Sequence, residues 1–294
     1  MKKNIKLMLI AATLLSCVSL NAQTIHELSF SAGGGLSALN YDVNVGSQKM
    51  NFGGQAGVGY QFLFSDMWGV RSGAEIALYN SAFTLDNLST RYMTVDMTNK
   101  NFEFRTTVNN YEEKHSLILL QIPLMVQFQH GDNEERQFYI AAGGKVGIGL
   151  SGKYNSTSAS IVNTGYYVYE DYEYTTQEFL GFGTFANREA KGNLNLKMAF
   201  FASIEIGMKW RLSEDWLLYT GAYLDYGLND IRKAEAQNTA SPQFVDYNTA
   251  DPRNFTVNSV VNSQYTQNGA AQSFINKITP ITAGIKLRIA MEKW

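Results

Sequence analysis

The chain has 294 residues and a formal net charge of −2, with 45% hydrophobic, 13% aromatic and 17% charged residues. That charged fraction lies below the ~25% of soluble domains, and mean hydropathy is only −0.19, so Asn, Gln, Ser, Thr and Gly dilute the apolar residues. The single cysteine excludes a disulfide framework and a Cys-built zinc site. His26, His115 and His130 stand in unrelated contexts, and no P-loop, dinucleotide fingerprint or helical zinc motif occurs, so neither a metal nor a cofactor is expected. Beyond the N-terminus no apolar run reaches the ~18 residues of a transmembrane helix.

Lys2, Lys3 and Lys6 precede an apolar stretch from Leu7 to Leu15, and Leu20-Asn21-Ala22 then precedes Gln23. A basic start, a short apolar core and a small residue at the cleavage point predict a cleavable export signal over residues 1–22. Leu14-Leu15-Ser16-Cys17 offers a competing lipoprotein reading with acylation at Cys17. Removal of residues 1–22 takes three lysines and leaves a net charge of −5, which excludes nucleic acid as a partner.

From residue 27 onward the signal is period two, in eight segments: 28–39, 52–64, 68–80, 117–129, 137–150, 198–211, 216–228 and 278–291. In 68–79, Trp68, Val70, Ala74, Ile76 and Leu78 share one face with Ser72, and Arg71 and Glu75 lie on the other. In 199–211, Phe200, Ile204, Ile206 and Trp210 oppose Glu205 and Lys209. The second face is rich in Gly, Ser, Gln and Tyr with sparse charges, which suits a crowded barrel interior. The first face is aliphatic with Phe62, Phe64, Trp68, Trp210, Trp216 and Tyr226 toward its ends, the girdle expected at membrane–water interfaces. Gaps also alternate: 65–67, 130–136 and 213–215 are short, 40–51 is intermediate, and 81–116, 151–198 and 229–276 read as long outward loops. The expectation is an all-β, eight-stranded, antiparallel up-and-down transmembrane barrel over residues 23–294 with long extracellular loops. Gly59–Trp68 and Gly207–Trp216 echo each other at an offset of 148, as two hairpins of shared geometry would.

The ending Asn21-Ala22-Gln23, the first strand Ala32-Gly33-Gly34-Gly35-Leu36 and the run Gln121-Ile122-Pro123-Leu124-Met125-Val126 resemble the outer-membrane β-barrel domain family, the small OmpA-like or PorT-like barrels. The resemblance implies the bacterial outer membrane, a porin-type fold and outer-membrane lipid as partner. Gly284, Leu287 and Ile289 resemble an assembly signal, which implies the barrel-assembly machinery.

Three constellations deserve placement. Arg71, Glu75, Lys145, Glu205, Lys209, Asp225, Lys286 and Arg288 fall on the inward face as a lumen polar network, with Lys145 and Glu205 at heights that predict direct pairing. A fixed polar core opposes a gated ion path, and the narrow lumen of eight strands favours the former. Tyr166, Tyr167, Tyr169, Tyr172 and Tyr174, interleaved with Glu170, Asp171 and Glu173, form a surface for an extracellular glycan or protein, or a hairpin that extends the barrel. His115 lies beside Ser116, but period two points them to opposite faces, against nucleophilic catalysis. The function expected is a non-enzymatic barrel that anchors, or binds through its outer loops. The alternatives are a passive narrow channel for small solutes or ions, and an accessory outer-membrane component of a secretion system.

Overall fold

A computed structural model describes residues 25–132, 135–233, 241–267 and 269–293; the export signal and Cys17 lie outside them. Eight antiparallel strands close into a ring: β1 Ile25–Ala38, β2 Ser47–Leu63, β3 Trp68–Val95, β4 Asn101–Asp132, β5 Arg136–Tyr167, β6 Ala199–Arg211, β7 Trp216–Gly227 and β8 Ile281–Lys293. Each strand pairs with its chain neighbours, and β1 closes on β8 with Leu28 opposite Met291 and Leu36 opposite Ala283. Within the ring closure leaves no sheet edge, so backbone groups there find partners without water. Among the described residues no helix is long and apolar enough to cross a membrane.

Outward residues define the height of the apolar band. On β3 it runs from Trp68 to Leu78, roughly 25 Å along the axis at ~3.3 Å per residue and a tilt near 40°. Phe30, Phe52, Ile122, Leu124, Ile204, Ile285 and Leu287 belong to the same exposed band. Both echo hairpins turn alike below it: the Phe64 and Ser65 amides donate to the Trp68 carbonyl, and the Leu212 and Ser213 amides donate to that of Trp216.

Above the band the expected loops are mostly sheet. The segments 81–116 and 151–198 were expected as loops, yet β3, β4 and β5 run on for 28, 32 and 32 residues. Gly183–Asn193 then pairs with β5 as a further strand of that wall. The reason is a reversal of polarity: above the band Phe83, Leu85, Phe102, Phe104, Val108 and Tyr111 face inward and are buried, while Thr84, Glu103, Arg105 and Glu112 face out. Alternation continues with the opposite sense. A paired irregularity at Asp86 and Asn110 (φ 47°) shifts the inward positions by one residue.

The described residues of the third expected loop, 229–276, also fold inward. Val245–Asp246 pairs with Thr256–Val257, Gln264–Gln267 with Ala270–Ser273, and Ile275–Ile278 with Tyr41–Val43. Phe244, Val260, Phe274 and Ile275 are fully buried and join Phe83, Phe102, Phe104 and Phe182 in one hydrophobic core. The segment is a cap that fills the barrel mouth.

Candidate functional site

Inside the band the lumen is packed with ions. Five cations (Arg71, Lys145, Lys209, Lys286, Arg288) face four carboxylates (Glu27, Glu75, Glu205, Asp225), all at most 5% exposed. Small inward residues make the room: a Cβ at Gly57 would stand 2.8 Å from the Glu75 Cγ, and one at Gly221 would stand 2.6 Å from the Tyr139 hydroxyl. Arg71 meets Glu205 in a forked pair, Nη1 to Oε1 at 3.3 Å and Nη2 to Oε2 at 2.7 Å. Tyr139 also donates to Glu205 Oε1 at 2.9 Å. Lys286 bridges Glu75 at 2.5 Å and Glu205 at 3.7 Å. Lys145 holds Glu75 and Asp225, both at 2.9 Å, and donates to Gln55 Oε1 at 3.3 Å.

Lys145 and Glu205 therefore do not pair. In the observed register Glu205 stands opposite Ala141, and Lys145 stands opposite Phe201, four positions higher. Heights counted from two separate turns ignore the stagger that closes a barrel. Lys209 instead pairs with Glu27 at 3.0 Å, a residue outside the expected network, and Tyr219 donates to the same carboxylate at 2.7 Å. Glu27 was hidden by its place at the margin of the first segment. Arg288 donates to Gln61 Oε1 at 2.7 Å and Gln127 Oε1 at 2.9 Å, and its guanidinium lies 3.6 Å from the Tyr219 ring centroid.

Buried aromatic rings pack within the network and above it. Tyr139 and Tyr219 pack edge to face at 5.2 Å among the ions, in one buried cluster with Leu217 and Ala290. Above the network Tyr79 and Phe201 stack at 5.8 Å, with Leu117 and Leu119 buried beside them. Over this lid sits a second polar cluster that fastens the cap. Glu113 Oε1 lies 2.6 Å from His115 Nε2 and accepts from Ser259 Oγ at 2.5 Å. Glu113 Oε2 accepts from the Val260 amide at 3.1 Å and from the Tyr111 hydroxyl. His115 Nδ1 lies 2.6 Å from the Tyr41 hydroxyl. Both ring nitrogens are occupied, so His115 has none free to take a proton from Ser259, and Ser116 lies on the outward face as period two requires. His26 sits beside Tyr60 at 2.6 Å, far from both. Among the described residues no group of His, Cys, Asp and Glu gathers to hold a metal.

The tyrosine-rich segment divides. Tyr167 faces inward, stacks on Phe102 at 5.1 Å and is buried, so it is a core residue and no part of an outer surface. Its hydroxyl donates to Asp96 at 3.0 Å, and burial, with that bond, pushes its pKa up. Tyr166 donates to Asp171 at 2.7 Å beneath the Arg105 guanidinium, 4.4 Å from its ring centroid. Tyr174 donates to Glu170 at 3.0 Å. Tyr169, 91% exposed, and Tyr172, 56% exposed, remain open to solvent with Phe179 nearby in sequence at 57%.

Solved structures similar to this chain include bacterial surface and outer-membrane proteins. Neisserial surface protein A is 6% identical with a TM-score of 0.33, the match covering 91% of this chain and 98% of that one. Ail, the attachment invasion locus protein of Yersinia pestis, is 11% identical at 0.29, covering 91% and 98%. OprG from Pseudomonas aeruginosa is 11% identical at 0.34, covering 92% and 96%. No curated protein matches the chain in sequence. Residues 21–233 match the outer membrane protein beta-barrel domain. With a closed ring of eight strands, an exposed apolar band and a polar lumen behind it, the chain belongs to the outer membrane protein beta-barrel domain family.

Proposed function

We propose that this protein is a non-enzymatic outer-membrane barrel that works from its extracellular wall, with a lumen that does not conduct. The observation that carries the reading is the filled lumen: buried charges, with Tyr139 and Tyr219 packed among them, lie beneath the Tyr79–Phe201 stack and a cap tied down by Glu113. Buried ion pairs such as Arg71–Glu205 and Lys145–Asp225 are costly to separate, so no thread of water opens at rest. Binding then falls to the outer surface. Tyr169 and Tyr172 offer amphipathic area to an extracellular glycan or protein.

A narrow ion path is the second reading, favoured by Gln55 Nε2, Gln61 Nε2 and Arg288 Nε, buried polar atoms without a hydrogen-bond partner. Conductance of the full chain in planar bilayers decides between them. Silence or rare small events are expected, and large steady currents would overturn the closed reading. Export through residues 1–22 and insertion by the assembly machinery complete the proposal; N-terminal sequencing of the mature protein would give Gln23 first, whereas acylated Cys17 would replace it with the lipoprotein route.

A further inference from the structure

Directly above the apolar band, one flank of the wall carries lysines. The register aligns Asn80, Ser116, Lys153 and Asn193 in one outward row, and Lys114, Asn155 and Lys191 in the next. Beneath them the outward faces are Leu78, Ile118 and Leu150. The next row up changes sign, with Glu112 and Glu189 flanking Thr157. The two lysine-bearing rows and Phe52, 77% exposed, line a groove of about 710 Å³ open to the outside. Lys114 reaches Glu112 at 3.5 Å with 68% of its side chain still exposed. Lys153 and Lys191 are exposed and form no ion pair among the described residues. A smaller recess beside it, about 360 Å³, is lined by Leu150, Asn193 and Lys233.

We infer that this groove binds the phosphate-bearing headgroup of an outer-leaflet glycolipid. The order of surfaces matches such a molecule from acyl tail to headgroup. Acyl chains lie on Leu78, Ile118 and Phe52. Phosphates, which sit at the edge of the hydrocarbon, meet Lys114, Lys153 and Lys191 as point charges. Sugar hydroxyls beside the phosphates face Asn80 and Asn155 in the same two rows, side chains that donate and accept. Charge complementarity is confined to the rows at headgroup height, since the row above carries carboxylates. This inference is independent of whether the lumen conducts.

The test uses the purified full chain in phosphatidylcholine nanodiscs, titrated with a bisphosphorylated disaccharide glycolipid and read by native mass spectrometry. Charge near an anionic surface contributes roughly fivefold per lysine, so Lys114→Gln, Lys153→Gln and Lys191→Gln together should weaken retention about a hundredfold. Lys100→Gln, at an extracellular turn elsewhere, should leave it unchanged. Wild-type protein should also discriminate against the same glycolipid stripped of its phosphates, a comparison that needs no variant. Equal retention by the triple variant, or of the dephosphorylated lipid, would overturn the inference. So would equally tight binding of a soluble sulfated oligosaccharide, which would assign the groove to a polyanion outside the membrane.

Discussion

Along β3 the outward side chains change from Ile76 and Leu78 to Thr84 and Arg91, while the inward ones change from Arg71 and Glu75 to Phe83 and Leu85. One strand thus obeys two rules. In the lower half the surroundings are hydrocarbon, so apolar residues face out, and the interior gains nothing by being apolar; it is filled by ions that satisfy one another. In the upper half the surroundings are water, and burial of apolar area drives the same strands to turn their aromatics inward. The lesson is that a barrel strand has no fixed inside chemistry. The solvent outside chooses which face is apolar, and the switch occurs within a few residues, between Leu78 and Phe83 on β3 and between Tyr111 and Ile118 on β4.

The comparison breaks first where the upper half depends on its core. Phe102 is fully buried, with ring centroids 5.1 Å from both Tyr167 and Tyr247 and 5.6 Å from Phe182. Phe102→Ala should cost the extracellular half ~3–5 kcal/mol and leave the membrane half folded. Amide exchange should therefore accelerate in 81–116 and 241–278 while Ile204 and its neighbours stay protected. Uniform loss of protection would show that the two halves are one cooperative unit.

Polarity outside is tested by placing the same charge on each half. Ile204, 42% exposed at mid-height on β6, faces lipid, and Ile204→Arg should cost ~2–4 kcal/mol of folding free energy in vesicles. Thr157, exposed on the outer face of β5, faces water, and Thr157→Arg should stay within ~0.5 kcal/mol. Equal costs at the two sites would mean that the hydrocarbon boundary does not lie between them.

How far the sequence revealed this division follows from the same physics. All eight crossings were legible because the band alternates against an interior of different chemistry, and the two echo hairpins were legible because Ser65 and Ser213 initiate the same turn. The upper wall was not, although Phe102-Glu103-Phe104-Arg105-Thr106-Thr107-Val108 alternates just as clearly. Read with the membrane's rule, its apolar face pointed the wrong way, and the irregularity at Asn110 broke the phase between it and the band. Ion partners in the lumen were legible as a set, not as pairs. Lys145 reaches across the lumen to Glu75 on β3 and Asp225 on β7, contacts that depend on barrel stagger and diameter. The cap's tie to Glu113 joins residues 146 positions apart, beyond any local signal.

The smallest effect belongs to the hairpin tip that ends the upper wall. Asp96 Oδ1 accepts from the Thr98 amide and hydroxyl, both at 2.8 Å, and from the Lys100 amide at 3.0 Å; Oδ2 accepts from Tyr167. Burial opposes the charge on Asp96, but these bonds outweigh it and hold its pKa below the ordinary value. A folded-state pKa lowered in this way gives stability that is complete above the unfolded value near ~4 and fades as pH falls through the folded one. Exchange protection of the Thr98 and Lys100 amides, corrected for intrinsic acid dependence, should therefore decline only below pH ~4. Asp96→Asn keeps one acceptor oxygen without the charge, so it should lower that protection about fivefold at neutral pH and remove its acid dependence. The tip stands clear of the band, so the variant should leave protection of the membrane half unchanged. An acid decline that persists in Asp96→Asn would place the titrating group elsewhere and detach Asp96 from the order of the wall.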